Sequence, residues 1–131
     1  MKKNIVPLML MLALSMPCFA GGNRSAVETA QTFFVAVKAG DVVSLQKLIG
    51  APLSEQIDNL LTNNLEYPDF LRAHYEGASA EVDAVNKVGK GNKQVDLIIT
   101  FADNRVSLIE LTLSRKKSGK WKVIEQKEVL E

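Results

Sequence analysis

The chain has 131 residues, with 16 basic and 15 acidic side chains, a formal net charge of +1 and a single cysteine. This length predicts one domain, and one cysteine excludes an internal disulfide. The near-neutral balance gives no electrostatic reason to expect DNA, RNA or an anionic membrane as a partner.

Residues 1–20 have the pattern of a secretory signal peptide. Lysines at positions 2 and 3 precede an apolar run over 5–16, and a small-x-small cleavage site ends at Ala20. The run is shorter than the roughly 20 residues that a membrane-spanning helix requires. We therefore expect cleavage after Ala20, a periplasmic or secreted bacterial protein without stable membrane insertion, and one mature domain over residues 21–131.

Lipid anchoring at Cys18 is the alternative. A lipoprotein signal has a small residue directly before its cysteine, whereas this chain has Pro17, so soluble export is favoured. Cleavage also removes the only cysteine, which leaves the mature domain without thiolate chemistry.

The mature chain opens with the pattern of an amphipathic helix. Ser25 and Glu28 form a capping box, in which side chains satisfy the free backbone N–H groups of a helix start. Apolar residues then recur at helical spacing, and Gly40 can end the helix in the left-handed conformation. The stripe consists of Val27, Ala30, Phe33, Phe34 and Val37.

Three further helices are predicted before residue 76. Asp41 is a favourable N-cap for a short second helix, which Gly50-Ala51-Pro52 ends. A third helix is predicted from Ser54, and Pro68–Tyr75 predicts a fourth, shorter one. The third is expected to carry the apolar residues Ile57, Leu60, Leu61 and Leu65.

From Ala78 the apolar period changes from about 3.6 to 2, which predicts strands. Alternation begins at Ala80, Val82 and Ala84, and turns are predicted at residues 89–92, 103–104 and 116–119. The strongest alternation is Val95, Leu97, Ile99 and Phe101, and the closing strand contains Trp121, Val123 and Ile124.

The third strand, roughly residues 105–115, allows two registers. A two-residue loop would pair Phe101 with Val106 and turn Glu110 toward the core. A shift of one residue would instead turn Ile109, Leu111 and Leu113 inward and Glu110 toward water. The second register is favoured because it buries three large aliphatic side chains, each worth roughly 1.5–3 kcal/mol.

Two segments carry a resemblance to a known family: AQTFFVAVKAGD, residues 30–41, and SGKWKV, residues 118–123. With helices first and a strand meander after them, the chain resembles the nuclear transport factor two-like (cystatin-like, α+β cone) superfamily. Within it, the chain looks most like small secreted bacterial lumazine-binding-like domains of unknown function. The resemblance implies three to four N-terminal helices packed in the concave face of a curved four-stranded antiparallel sheet.

The superfamily includes ketosteroid isomerase-like and dehydratase-like enzymes, ligand-binding domains and assembly domains. Its enzymes place carboxylates, tyrosines or histidines in a cavity at the open end of the sheet. The motifs quoted above are structural, so they predict a fold and transfer no site residue.

Candidate site residues concentrate in the segment from Tyr67 to Glu76. There His74 could exchange a proton while Tyr67 or Tyr75 donates a hydrogen bond; a solvated helix is the favoured alternative. Tyr67, Tyr75 and Phe101 are the candidate ligand contacts. Glu110, if turned inward, would be a carboxylate with a raised pKa and a candidate acid or base beside His74; an exposed strand residue is again favoured.

The basic cluster and the single histidine do not predict a nucleic-acid site or a metal site. The basic residues around the last turn fit a charged turn and a protected sheet edge, and their surroundings offer no stacking aromatics beyond Trp121. One histidine without cysteine is a poor basis for a metal site, and we expect no cofactor. The basic residues are Arg115, Lys116, Lys117, Lys120 and Lys122.

Three functions remain open at this point. The first is an exported non-enzymatic domain that binds a small molecule or a protein, and it is favoured because catalytic motifs are missing. The second is an isomerase- or dehydratase-like enzyme that uses Glu110 or His74. The third is a structural subunit that forms a homodimer through its sheet, with Ile98 and Leu108 available for the interface.

Overall fold

Four helices precede four strands in the computed structural model, which describes residues 22–129, with side chains from Ala26 onward. The helices are α1 (Gly22–Ala39), α2 (Val42–Leu48), α3 (Leu53–Asn63) and α4 (Tyr67–His74). The strands are β1 (Ser79–Val88), β2 (Asn92–Thr100), β3 (Val106–Arg115) and β4 (Trp121–Val129). The predicted signal peptide lies outside the described residues.

Helix α1 supplies the longest apolar stripe of the helical half. Ala30, Phe33, Phe34 and Val37 are buried, as the periodicity predicts. Val27 is only half-buried, and Ala26 beside it is fully buried. The predicted start is wrong: the helix begins at Gly22, which places Ser25 inside it. A capping motif favours a helix start without preventing extension, since each added residue gains a backbone hydrogen bond once the helix exists.

The junction between α1 and α2 is confirmed as predicted. Gly40 has a φ of 65°, and its N–H donates to the carbonyl of Val37 at 3.1 Å, while the Asp41 N–H donates to the carbonyl of Ala36 at 2.9 Å. This is the Schellman arrangement. The Asp41 carboxylate then caps α2 by accepting from the hydroxyl and the N–H of Ser44, and these hydrogen bonds lower its pKa.

The prediction for α3 is wrong in detail. Helix α3 ends at Asn63, so Leu65 lies beyond it and is 87% exposed. Ile57 is buried and Leu61 packs against the core, as predicted, whereas Leu60 is 43% exposed. Leu53, which precedes the predicted start, is buried as well. In α4, Leu71 is buried but Phe70 is largely exposed.

The sheet has the order β1-β2-β3-β4, with each neighbouring pair antiparallel. A bulge between Val82 and Ala84 interrupts β1. The predicted inward alternation is therefore wrong at Ala84, which lies on the outer face; Val85 takes the inner position opposite Val95. The extra residue of a bulge also bends its strand.

The favoured register of β2 and β3 is confirmed. Leu97 pairs with Ile109 and Val95 with Leu111, and the connection comprises residues 101–105. It closes through a hydrogen bond from the N–H of Phe101 to the carbonyl of Arg105 at 2.8 Å.

The core lies between the helices and one face of this sheet. Its β-sheet side chains alternate along the strands, and the largest side chains among those that the described core removes almost fully from solvent come from α2 and three strands. They are Leu45, Val95, Leu97, Ile99, Leu111, Leu113 and Val123. The predicted α+β class, with helices on one face of a four-stranded antiparallel sheet, is confirmed.

Candidate ligand-binding site

Aromatic side chains cluster where the end of α4 meets the β2–β3 connection. The ring of His74 stacks on Phe70 at 5.4 Å and meets the rings of Tyr75 and Phe101 edge-on at 4.6 and 5.4 Å. Tyr75 in turn stacks on Phe101 and meets Phe34 of α1 edge-on, each at 5.8 Å. The cluster therefore ties α1, the end of α4 and the β2–β3 connection together.

Tyr75 is the buried titratable group of this cluster. Burial, then the nearby charge of Glu128, then Tyr67, raise the pKa of its phenol to about 12. The phenol consequently stays protonated at neutral pH and can donate a hydrogen bond. Within residues 22–129 its hydroxyl has no hydrogen-bond partner, although buried tyrosine hydroxyls usually have one.

Ser107 and Glu128 provide a second polar pair near Tyr75. Ser107 is buried, and its hydroxyl donates to Oε2 of Glu128 at 2.7 Å. Glu128 pairs with Ile109 and so lies on the helix-facing side of the sheet. Sequence reasoning missed Glu128 because a bulge after Val123 shifts the alternation of β4 by one residue.

The structure brings together four of the five residues singled out in the sequence. Tyr67, whose pKa burial raises, stacks on Phe70 beside the cluster that contains His74, Tyr75 and Phe101. Glu110 is the exception. It pairs with Asp96 and Lys127 on the face that the helices leave uncovered, so it shares no site with His74.

A groove of about 850 Å³ lies between α1 and the edge strand β1. Phe34 lines it and also contacts Tyr75, so the groove borders the aromatic cluster. Among its lining residues only Lys38 is charged. The others are mainly apolar: Phe34, Val35, Ala39, Ala78, Ala80, Val82 and Leu97, with Gln31 and Ser79 as polar members.

The side chains described between positions 26 and 129 include no group of three or more His, Cys, Asp or Glu that could hold a metal ion. Across residues 22–129, no helix combines the length and the apolar character needed to cross a membrane.

Solved structures similar to this chain share one fold. The “putative NTF2-like transpeptidase” of Campylobacter jejuni superposes with a TM-score of 0.59 at 14% identity, over 76% of this chain and 97% of its own. A “putative ketosteroid isomerase” of Shewanella frigidimarina gives 0.59 at 14% identity, over 85% and 99% of the two chains.

An NTF2-like protein of unknown function from Shewanella baltica gives a TM-score of 0.55 at 13% identity, over 82% and 94% of the two chains. No protein-family model and no curated protein matches the sequence. The chain therefore has the nuclear transport factor two-like fold, whereas the closer resemblance to lumazine-binding-like domains stays a prediction.

Proposed function

We propose that the protein is an exported, non-enzymatic domain that binds a small apolar molecule bearing an acidic group in the groove between α1 and β1. The observation that carries the proposal is the groove itself. Its volume of about 850 Å³ lies in the range of small-molecule sites, roughly 300–1,000 Å³, which are lined mainly by apolar side chains.

The side chains of the groove define the chemistry of the ligand. Val35 is 63% exposed there although it is aliphatic, and a ligand would remove its surface from water. The amine of Lys38 would pair with an acidic group, since no lining residue carries a negative charge. Gln31 and Ser79 add polar groups that can orient the ligand.

Thermal-shift measurements with medium-chain fatty acids and aromatic carboxylates test this proposal, with the matching primary amides as neutral controls. A ligand at 100 times its Kd stabilises a protein by about 2.7 kcal/mol, which is readily measured. We expect the acids to stabilise the protein more than the amides do. Failure of every compound to shift the transition would contradict the proposal.

Variants within β1 locate the site. Ala80→Leu would place a larger side chain in the groove, whereas Ala84→Leu makes the same change on the outer face of the strand. We expect Ala80→Leu to abolish the stabilisation and Ala84→Leu to retain it. Lys38→Gln should remove the preference for acids over amides. Equal binding by the two leucine variants would place the ligand elsewhere.

One observation favours a second candidate, a proton-transfer enzyme of the isomerase type. Tyr75 is a protonated donor beside the carboxylate of Glu128 on the helix-facing side of the sheet. Ketosteroid isomerase pairs a carboxylate base with a tyrosine donor, and one structure of similar fold bears that name. Glu128 and Tyr75, rather than Glu110 and His74, would be the reacting groups.

Assay of a β,γ-unsaturated ketosteroid tests this candidate. Turnover that falls by roughly 100-fold or more in Glu128→Gln would support it, with Glu110→Gln as the control on the opposite face. Tyr75→Phe should also lose activity because it removes the hydrogen-bond donor. Absence of turnover by the unmodified protein would reject the enzyme and leave the binding proposal intact.

A further inference from the structure

Two hairpin turns at one end of the sheet concentrate the positive charge of the protein. Pairing of Asn92 with Ser114 places the β1–β2 turn beside the β3–β4 turn. Segments 86–93 and 114–122 together contain eight of the chain's 16 basic residues and none of its 15 acidic ones. A net charge near zero therefore conceals a strongly basic end.

Between the two turns lies a pocket of about 520 Å³. Cations from three strands and a turn line it, together with Trp121, and no acidic residue does so. The cations are Lys87, Lys93, Arg115, Lys116 and Lys117. The Nζ atom of Lys93 lies 5.8 Å from the centre of the Trp121 ring, a cation–π distance.

Within the described residues, two cations of this cluster, Lys87 and Arg115, form no ion pair. Lys87 and Lys93 are direct cross-strand partners, an arrangement that destabilises a sheet when both residues carry the same charge. Two ion pairs of the described residues join Arg72 with Asp69 and Arg105 with Asp103, and Lys93 has contacts of its own. Lys87 and Arg115 belong to none of these pairs.

Protection of a sheet edge explains only part of the cluster. Lysines on edge strands prevent pairing with another sheet, and Lys87 of β1 fits that role. Lys93 and Arg115 lie on β2 and β3, the two central strands. Strands that are paired on both sides need no such protection, so protection of a sheet edge does not account for these two cations.

We propose that this pocket binds an anion carrying two or more phosphate groups. Five cations around one concavity exceed what a single phosphate can neutralise, and arginine can bind phosphate through two parallel hydrogen bonds. Trp121 is only 7% exposed, so it forms the floor of the pocket and offers no open face for a base to stack on. The ligand is therefore recognised by its charge.

Clustered phosphates could come from a soluble oligophosphate or from the multiply phosphorylated head group of a lipid. Both present the same chemistry to the pocket. The pocket lies at the end of β1 opposite the groove, which involves Ser79, Ala80 and Val82. This inference is therefore independent of the proposed ligand-binding function.

Fluorescence of the single tryptophan, Trp121, reports directly on the pocket. We would titrate the protein with tripolyphosphate, and with orthophosphate and sulfate at matched ionic strength. We expect a saturable change with tripolyphosphate at a Kd at least tenfold below that of either single anion. No saturable change, or equal affinities for all three anions, would overturn the proposal.

Charge-matched variants separate the pocket from overall electrostatics. Arg115→Gln/Lys117→Gln removes two cations of the pocket, and Lys47→Gln/Lys127→Gln removes two cations that do not line it. We expect at least tenfold weaker tripolyphosphate binding in the first variant and less than a twofold change in the second. Calorimetry on the same variants provides a readout that does not depend on Trp121. Equal loss in both variants would overturn the assignment.

Vesicles distinguish the two sources. Co-sedimentation with vesicles that contain a bisphosphorylated lipid, reversed by tripolyphosphate, would support the proposal and assign the ligand to a lipid head group. Tripolyphosphate binding without co-sedimentation would support it with a soluble ligand. Binding of a mixed-sequence DNA oligonucleotide without binding of tripolyphosphate would overturn it.

Discussion

Gly40 connects the helical half of the protein at the scale of a single residue. Its positive φ turns the chain from α1 into α2, and its missing side chain lets α4 approach. A Cβ atom there would lie 2.5 Å from the carbonyl oxygen of Pro68 and under 3 Å from Arg72 atoms. Glycine is therefore required both by the backbone conformation and by the contact with a neighbouring helix.

We predict that Gly40→Ala lowers the free energy of unfolding by about 2–5 kcal/mol in urea denaturation. About 1–2 kcal/mol would come from the left-handed conformation, and overpacking typically adds about 1–3 kcal/mol. Gly91→Ala is the matched control, since Gly91 also has a positive φ but a Cβ atom added there would meet no other atom within 4 Å. In Gly91→Ala the free energy of unfolding should fall only by the cost of the left-handed conformation, about 1–2 kcal/mol. Equal losses would show that α4 moves aside at no cost.

Strand β3 has two faces with different roles at the scale of the element. Leu111 is fully buried against the helices, while Leu108 pairs with Ile98 on the outer face and is half-buried. The same residue type thus occurs on both sides of one strand. The difference in burial between Leu111 and Leu108 follows from the register of the strand. Substituting the two leucines in turn also tests whether the outer face joins two copies of the chain.

We predict that Leu111→Ala lowers the free energy of unfolding by about 2–5 kcal/mol, as expected for a large side chain removed from a core. Leu108→Ala should cost under about 1 kcal/mol in a monomer. Chemical denaturation at two protein concentrations measures both. A loss for Leu108→Ala that grows with protein concentration, with a dimer in sedimentation, would instead support the structural-subunit alternative.

Charge is separated along the whole molecule. Segments 86–93 and 114–122, which form the basic end, carry eight cations, and all 15 acidic residues lie outside them. The Debye length at physiological salt is about 8 Å, so a binding surface responds to the nearby charges rather than to their sum. Overall neutrality consequently says little about how this protein meets an anionic surface.

We predict that the protein binds a cation-exchange resin at about pH 7.5 despite its small net charge. Lys116→Glu/Lys117→Glu, at the basic end, should elute at clearly lower salt than Lys47→Glu/Lys127→Glu, which has the same net charge. The elution salt concentration is the measurement. Elution of the two variants at the same salt concentration would show that the basic end does not determine binding to the resin.

Much of the architecture follows from local patterns in the chain. Helix and strand periodicity, the glycine at position 40 and the Asp41 cap depend on neighbours in sequence, and the burial of three aliphatic residues decided the register of β3. The same reasoning placed Tyr67, His74 and Tyr75 among the candidates, because aromatic and titratable groups stood close together in or near one short helix. Phe101, also a candidate, joins them only through a tertiary contact.

The site and the basic pocket depend on residues that are distant in sequence. One bulge in β4 turns Glu128 toward Tyr75, and another in β1 places Val85 instead of Ala84 on the inner face. A bulge reverses the facing of every later residue in its strand, and no local sequence signal predicts it. Likewise, Lys87 and Lys93 lie near Arg115 only because pairing of β2 with β3 places the β1–β2 turn beside the β3–β4 turn. Strand pairing brings such groups together, and no period or composition of the linear chain encodes that contact.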